Sequence, residues 1–434
     1  MSRLLIPNLC FEEELSGGTR ISVPAQQRVD ELAPCMGLLA ATKDNESSDI
    51  VCVGDDAVPG PLPPLLQNVS FCPLSRVSQH STCLTAVRPW GWSLPVWKFL
   101  GAALPSAARS GISVAPAPDA VREVNGRRFQ VRHERVVRIS ASHSNSSPPA
   151  IGHICDSLKT VQRILDVFIR ETRTKDCSWV IKAEFSQAAR NRLTGHGTSL
   201  SPQHVRWLEQ RFSSGEVVCV ERWVNRISEI GVQFEIPPFT DAGPHQDVRH
   251  AGPGTTMLIG AAEMISARGG QYRGSVIQSA EAKIPQPWTQ ILPVAQEIAQ
   301  QIAAAGYWGP VGLDCMLFQE ADGSQWVRVG HDVNARLTMG RVALQLRSEL
   351  RSGETAAWCH VPLSGDADEI SNDAQILFEG GCADGVRIVP TSPRTVGGRN
   401  VSVTTALLIS QCQRSLMQRV SRMFESSRSP RNSH

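Results

Sequence analysis

Apolar residues along the chain follow two different periods, which predict both helices and strands. "DIVCVG" (49–54) is a continuous apolar run followed by prolines, typical of a buried strand that ends in a loop. Between residues 154 and 168 apolar residues recur every three or four positions, which predicts an amphipathic helix with one buried face. Residues 286–306 repeat that helical period and end at a glycine. The chain therefore mixes the two kinds of element, as an α/β protein does.

Three further segments predict strands, and one predicts a helix rich in tryptophan. "DCSWVIKAEFS" is a strand that carries one lysine, Lys182, and the runs 216–224 and 226–236 are short strands that favour an antiparallel sheet. Residues 88–112 contain three tryptophans in a helical pattern, but their prolines leave the helix ends open. These aromatic residues are interpreted as core.

Residues 309–340 predict two strands joined by a tight turn at Asp322-Gly323. Pairing outward from this turn places Asp314 opposite His331 and beside Asp332, to within one residue of register. Because side chains alternate along a strand, Asp332 and Asn334 share one face, while His331 is expected on the other.

Two carboxylates and an amide oxygen at this hairpin form a hard oxygen donor set that suits magnesium. A cation would also relieve the repulsion between Asp314 and Asp332, and Arg336 just beyond offers a planar cation for phosphate or carboxylate. The alternative interpretation is that these residues end their strands and face water. His245 and His250, in a glycine- and proline-rich segment, are interpreted as exposed rather than metal-binding.

Length and composition restrict the classes of protein but assign no activity. The 434 residues suit two or three lobes, and a net charge of +2 gives no general attraction to nucleic acid. The longest apolar runs are shorter than a membrane-spanning helix and than a secretory signal, so a cytoplasmic protein without a membrane partner is expected. The twelve cysteines are scattered singly, which favours reduced thiols in the core over a zinc site.

The predicted organisation is a series of α/β lobes. An N-terminal lobe spans 1–140, and the serine-, asparagine- and proline-rich stretch 140–150 is interpreted as a linker. A core spans 150–345, its C-terminal completion spans 346–412, and 413–434 is interpreted as a flexible basic tail because it carries five arginines against one glutamate.

Several of these motifs, in this order, resemble those of the ATP-grasp superfamily. The family's last core hairpin carries Gly-x-Asp and then Glu-x-Asn-x-Arg, which in this chain read "GLD" (312–314) and "DVNAR" (332–336), with aspartate in place of the usual glutamate. "WVIKAEFS" resembles the strand whose lysine reaches the phosphates of ATP, and "VCVERWVNRISE" resembles the segment that binds adenine. The resemblance implies an ATP-grasp architecture with an N-terminal α/β lobe before the core.

The resemblance also implies roles for nine residues, with ATP and Mg²⁺ as cofactors. Asp314, Asp332 and Asn334 would hold the metal, and Lys182 and Arg336 would be catalytic. The residues implied in ATP binding are Lys182, Glu221, Arg222, Trp223 and Glu229.

The implied activity is an ATP-dependent ligase that activates a small-molecule carboxylate as an acyl-phosphate for attack by an amine. The segment 184–197 departs from the family because it lacks the usual glycine-rich phosphate loop; Ser186, Arg190 and Arg192 would then contact phosphate, or the two arginines are simply solvated. Two alternatives stay open: a nucleotide-binding protein without turnover that acts in regulation or as a scaffold, and a structural protein that does not bind nucleotide.

Overall fold

The structure is a computed structural model of the 434-residue chain. It describes residues 2–18, 21–40, 49–104, 115–139, 148–149, 151–172, 177–186, 191–238, 256–267, 269–363 and 372–426.

The strands, in chain order, are β1 (Ser2–Ile6), β2 (Ile50–Val53), β3 (Ser70–Pro73), β4 (Leu84–Pro89), β5 (Arg135–Arg138), β6 (Gly152–Cys155), β7 (Ser178–Ala183), β8 (Arg192–His196), β9 (Val218–Arg222), β10 (Asn225–Ile236), β11 (Met257–Ser266), β12 (Tyr272–Gln278), β13 (Gly309–Gln319), β14 (Gln325–Asn334), β15 (Thr355–Pro362), β16 (Gly381–Ala383), β17 (Val386–Pro390), β18 (Thr395–Val396), β19 (Arg399–Asn400) and β20 (Val403–Ser410). The α-helices are α1 (Phe11–Leu15), α2 (Val23–Leu32), α3 (Leu94–Ala103), α4 (Pro118–Val124), α5 (Arg127–His133), α6 (Leu158–Thr172), α7 (Pro202–Ser213), α8 (Trp288–Ala304), α9 (Met339–Gln345), α10 (Asn372–Glu379) and α11 (Gln413–Ser426). Short 3-10 helices cover Ala33–Leu39, Pro64–Leu66, Leu74–His80 and Leu346–Glu349.

The N-terminal lobe is built on a parallel sheet with the order β3-β2-β1-β4. The apolar run predicted at 49–54 forms β2, whose four residues are all buried, as expected for a strand covered on both faces. Within the segment 88–112, helix α3 begins at Leu94 and ends at Ala103.

A small antiparallel sheet, β6-β9-β7-β8, carries Lys182 on β7 and Glu221 on β9. Helices α6 and α7 contribute Phe168 and Leu208 to the core beneath it, against Trp179. The predicted helix begins at Leu158, so Ile154 belongs to strand β6 instead.

A ten-stranded sheet with the order β16-β17-β20-β15-β12-β11-β10-β13-β14-β5 forms the body of the molecule. Helix α8 packs its buried face against β10 and β14, as the helical period at 286–306 predicts. The runs 216–224 and 226–236 are both antiparallel strands, but β9 belongs to the small sheet and β10 to the large one. The chain therefore crosses between sheets at residues 223–224, beside the adenine-binding segment that the resemblance implies.

One expectation about a charged segment is wrong. Residues 413–426 are not a flexible tail but helix α11, which buries Leu416, Val420 and Met423 against the large sheet. The basic stretch 124–138 contains helix α5 and strand β5, and the first residue of α5, Arg127, is buried. The linker proposed at 140–150 lies almost wholly outside the described residues, as do His245 and His250.

The cysteines agree with the sequence-based expectation. All twelve are free; nine are buried and the exposed ones are Cys83, Cys382 and Cys412.

Candidate functional site

A cavity of about 830 Å³ lies between the small sheet, the large sheet and the N-terminal lobe. The nine residues singled out from the sequence all line it: Lys182, Glu221, Arg222, Trp223, Glu229, Asp314, Asp332, Asn334 and Arg336. Residues far apart in the chain thus meet around one space, which is large enough for a small-molecule ligand.

The hairpin β13–β14 places the two aspartates directly opposite each other. Asp314 pairs with Asp332, whereas Cys315 pairs with Val329, so Gly330 and His331 are extra residues in a bulge. The bulge needs the left-handed backbone of Gly330, with φ at 74°, which glycine adopts readily. The sequence-based register placed Asp314 opposite His331 to within one residue, and the structure pairs it with Asp332 instead.

The same bulge overturns the expectation for His331. Simple alternation places His331 away from the metal-binding face, yet the side chain lines the cavity and lies 3.8 Å from Glu229 Oε1. Burial, with help from Arg328 and Lys182, lowers the pKa of His331 to about 3, so the imidazole is neutral. Neither ring nitrogen has a hydrogen-bond partner among the described residues.

The two aspartates differ in charge. Burial raises the pKa of Asp314 to about 8, and the nearby Asp332 and Glu229 add to that rise. Burial alone would also raise the pKa of Asp332, but the Arg127 guanidinium, 2.8 Å away, and Lys182 lower it below its usual value. At neutral pH the pair therefore holds one proton, in the place where a cation would neutralise both carboxylates.

The donor set at the hairpin fits Mg²⁺. Asn334 Nδ2 donates to Asp314 Oδ2 over 3.3 Å, and Asp332 is the strand partner of Asp314, so two carboxylates and one amide are gathered at this end of the hairpin. No group of three or more His, Cys, Asp or Glu side chains suited to a metal occurs among the described residues. Magnesium accepts this smaller set because it usually takes its other ligands from water and phosphate.

A buried ion network connects Lys182 with Glu221. Lys182 Nζ lies 2.9 Å from Glu221 Oε1, and Arg328 Nη1 lies 3.0 Å from Glu221 Oε2. Burial opposes ionisation of Glu221, yet Lys182 and Arg328 hold its pKa well below the usual range. Arg328 also makes a bidentate pair with Glu134. Glu221 is therefore an ionised hydrogen-bond acceptor in the wall of the cavity.

The rest of the predicted nucleotide segment lies at the mouth of the cavity. Glu229 Oε2 accepts from Arg226 over 2.7 Å and from Ser266 over 2.9 Å. Trp223 is 42% exposed, and Arg192 lies 5.5 Å from its ring centroid. Arg222 pairs with Glu320. An exposed indole beside a cation offers a flat surface to a ligand ring.

The connection from β7 to β8 contains no glycine in its sequence. Gly195, one of the two glycines in the segment 184–197, lies within β8, where a Cβ would be 2.3 Å from the Trp179 ring. Its role is therefore to pack against Trp179. Ser186 lines the cavity and accepts from Arg127 over 3.0 Å, and Arg192 also lines it, whereas Arg190 lies outside the described residues.

Arg336 is held by the N-terminal lobe. Its Nε donates to Glu12 Oε1 over 2.6 Å and its Nη2 to Asn334 Oδ1 over 2.8 Å, and Trp90 lies 5.6 Å from the guanidinium. Sequence reasoning missed Glu12, Arg127 and Arg328. The available signal was weak: glutamate in "FEEEL" and arginine in "NGRRF" look like ordinary surface residues, and only the fold buries them.

Solved structures resemble the whole chain. The N5-carboxyaminoimidazole synthetase of Staphylococcus aureus, crystallised with ADP, matches with a TM-score of 0.51 and 9% identity over 98% of this chain and 97% of its own. The biotin carboxylase domain of the Hydrogenobacter thermophilus 2-oxoglutarate carboxylase, crystallised with MgADP, ADP and bicarbonate, matches with a TM-score of 0.52 and 11% identity over 98% and 89%. The Campylobacter jejuni biotin carboxylase, crystallised as a β-γ-ATP complex, matches with a TM-score of 0.50 and 12% identity over 94% and 86%. The chain has the ATP-grasp fold.

The structure thus confirms the ATP-grasp fold, whereas comparison of the sequence found no match. No family model matches the sequence, and neither does any curated protein. Among the described residues, no helix of this ATP-grasp fold is long and apolar enough to cross a membrane.

Proposed function

We propose that this protein is an ATP- and Mg²⁺-dependent ligase that joins a small-molecule carboxylate to an amine. The observation that carries the proposal is the convergence of Asp314, Asp332 and Asn334 with Lys182 and Arg336 on one cavity. The ATP-grasp fold supports it, since the neighbours crystallised with ADP or ATP analogues share this architecture.

The reaction has two steps. A carboxylate oxygen of the acid attacks the γ-phosphorus of ATP, the bond to the β–γ bridging oxygen breaks, and ADP leaves with that electron pair. The amine nitrogen then attacks the carbonyl carbon of the acyl-phosphate, the C–O bond to phosphate breaks, and the amine loses a proton. The products are an amide, ADP and inorganic phosphate.

In this proposal the chain binds and orients rather than forming a covalent bond. Lys182, which pairs with Glu221, and Arg127, which pairs with Asp332, would neutralise charge on the phosphates. Mg²⁺ on Asp314, Asp332 and Asn334 would supply Lewis-acid stabilisation of the phosphate oxygens. Arg336, fixed by Glu12 and Asn334, would stabilise the incoming carboxylate or the acyl-phosphate.

At the other end of the nucleotide, Glu221 would accept from the adenine amino group and Trp223 would contact the ring. Glu229 would bind the ribose hydroxyls. The Lys182–Glu221 pair supports this arrangement, because it leaves Glu221 ionised and oriented toward the space between the two sheets.

A second candidate is a protein of this fold that binds nucleotide without turnover. Two observations favour it: aspartate at 332, which has a shorter reach than glutamate, and the connection between β7 and β8, which lacks glycine. Backbone amides of a glycine-rich loop normally close over phosphates, so their absence weakens the hold on the γ-phosphate.

Calorimetric titration with ATP, with and without Mg²⁺, tests the site in wild type and Asp332→Ala. We expect saturable binding that Mg²⁺ strengthens in wild type and that the substitution weakens by at least about tenfold, since it removes a charged ligand. A screen of acids and amines for ADP release then separates the two candidates. Binding without ADP release in any combination supports the protein without turnover, and no binding in wild type refutes both.

A further inference from the structure

The cavity extends beyond the nucleotide-binding residues to a second end beneath helix α2. The part of α2 that lines it consists of Ala25, Arg28, Val29 and Leu32. These positions follow the i, i+3, i+4, i+7 spacing of one helical face. Three are apolar and one is a cation, so a single charge lies in an otherwise apolar wall.

The opposite wall comes from the C-terminal half of the large sheet. Pro362 on β15 and Val403 on β20 extend the apolar lining, together with Met339 from helix α9. His360, on β15, also lines the cavity and packs edge-on against Trp358 and Tyr272, with ring centroids at 4.6 and 5.3 Å. This end of the cavity is therefore apolar and aromatic.

Arg28 and His360 have unmet hydrogen-bonding capacity. Among the described residues, Arg28 has no carboxylate within ion-pair distance and donates no hydrogen bond. Arg336, by contrast, is occupied by Glu12 and Asn334. His360 is only 8% exposed, and its Nε2 has no partner within the same described ranges. A buried polar atom that lacks a partner costs stability unless a ligand or water satisfies it.

The charge of this subsite suits a carboxylate. Burial, with a contribution from the Arg28 charge, lowers the pKa of His360 to about 3, so the imidazole is neutral and Arg28 supplies the positive charge. Among the described residues, Arg273 of β12 also lines the cavity, but its guanidinium lies 5.5 Å from the Phe424 ring of helix α11. The Arg28 guanidinium matches a carboxylate in charge and planar shape.

We propose that this end of the cavity is the acceptor subsite and that it takes an amine that carries its own carboxylate and an apolar side chain, as a hydrophobic α-amino acid does. Arg28 pairs with that carboxylate, His360 hydrogen-bonds to it, and the apolar face of α2 covers the side chain. The inference rests on the proposed function. It assigns Arg336 to the carboxylate of the acid that is activated, and Arg28 to the carboxylate of the amine substrate, which does not react.

Binding of matched acids and amides to the full chain tests the subsite directly. The probes are L-leucine, L-methionine and L-phenylalanine with the three corresponding amino acid amides, titrated in the presence of MgADP and followed by ligand-observed NMR. In wild type we expect at least one acid to bind about tenfold or more tightly than its amide, as one charge-assisted hydrogen-bonded pair provides. Arg28→Gln should abolish this preference, and Arg28→Lys should retain part of it.

Two further variants make the test specific. Arg76→Gln is the matched control, because Arg76 is an exposed arginine of the same lobe that does not line the cavity, and it should leave the preference unchanged. His360→Phe keeps the ring packing but removes the imidazole nitrogens, and it should weaken acid binding several-fold while the Arg28-dependent preference for acid persists.

The outcomes separate this inference from the proposed function. The subsite is refuted if wild type binds none of the six probes, binds acids and amides equally, or keeps its preference in Arg28→Gln. Acid binding without ADP release for any added carboxylate supports the subsite and refutes the ligase. If amines that lack a carboxylate support ADP release, and Arg28→Gln releases ADP as fast as wild type with them, the ligase is supported and the subsite is refuted.

Discussion

At the scale of single residues, burial of ionisable side chains sets the protonation states of the groups that line the cavity. Asp314 and Asp332 face each other, and they differ in protonation because Arg127 contacts only Asp332. His331 and His360 are buried and neutral at physiological pH. Each of these groups binds protons differently in the folded and the unfolded chain, so stability depends on pH.

His360 gives a pH dependence with a definite sign. Its pKa is lowered by burial to about 3 in the folded chain, whereas an exposed histidine titrates near 6.5. The unfolded state therefore binds the proton more tightly, and the stabilisation present above pH 6.5 is lost as the pH falls toward 3. Between pH 8 and pH 5, wild type should lose about 2 kcal/mol more unfolding free energy than His360→Phe.

Urea denaturation of both proteins at the two pH values measures this difference. His331 is present in both and cancels in the comparison. Parallel losses in wild type and His360→Phe would show that His360 is not buried as the structure describes.

At the scale of elements, the hairpin and the last helix show what pattern alone can and cannot predict. The strands, the turn and the proximity of Asp314 to Asp332 follow from alternation and a turn signal. The bulge at Gly330 and His331 does not, because extra residues in one strand leave no periodic signal in the sequence. The sequence of helix α11 resembles a basic tail because arginines outnumber acidic residues in it. Its apolar residues form one helical face, and the structure shows that this face packs against the large sheet.

Gly330→Ala tests whether the bulge is needed to place Asp314 and Asp332 opposite each other. The substitution places an L side chain at φ 74°, with its Cβ 3.1 Å from Ile298 Cδ1, and should cost about 1–2 kcal/mol of unfolding free energy. It should also weaken Mg²⁺-dependent ATP binding several-fold, as measured by calorimetry. Gly353→Ala is the matched control, because Gly353 has φ 79° but open space around it, and should leave binding unchanged. Equal binding by both variants would contradict a role for the bulge.

Leu416→Ala tests whether helix α11 belongs to the folded body. Leu416 is fully buried, so its truncation should lower the free energy of unfolding by about 2–4 kcal/mol. Gln418→Ala, on an exposed position of the same helix, should change it by less than about 0.5 kcal/mol. Chemical denaturation of both variants decides the point, since a solvated tail would tolerate either change.

At the scale of the whole molecule, the cavity exists only where separate parts of the chain meet. The small sheet supplies Lys182 and Glu221, the large sheet supplies the aspartates, and the N-terminal lobe supplies Glu12 and helix α2. Buried polar contacts therefore join the N-terminal lobe to the large sheet, among them Glu12–Arg336 and Arg127–Asp332.

Glu12→Gln tests that contact between lobes. Burial raises the pKa of Glu12 despite the opposing Arg336 charge, and its pair with Arg336 is what orients the guanidinium. The substitution should lower the kcat of substrate-dependent ADP release by about tenfold or more, while the affinity for Mg·ATP changes little. Steady-state kinetics and calorimetry measure the two effects. An equal loss in both would indicate a general disturbance of the fold instead of mispositioned Arg336.

The sequence by itself predicted the main strands, two of the helices and, through the resemblance of short motifs, nine residues that line the cavity, because periodicity, turn residues and motif order are local properties. Tertiary structure decided the remainder. Burial of Glu12, Arg127 and Arg328, the turn of His331 into the cavity, and the packing of α11 depend on elements far apart in the chain. Whether a charged side chain is solvated or buried in an ion pair depends on what packs against it, and no local pattern contains that information.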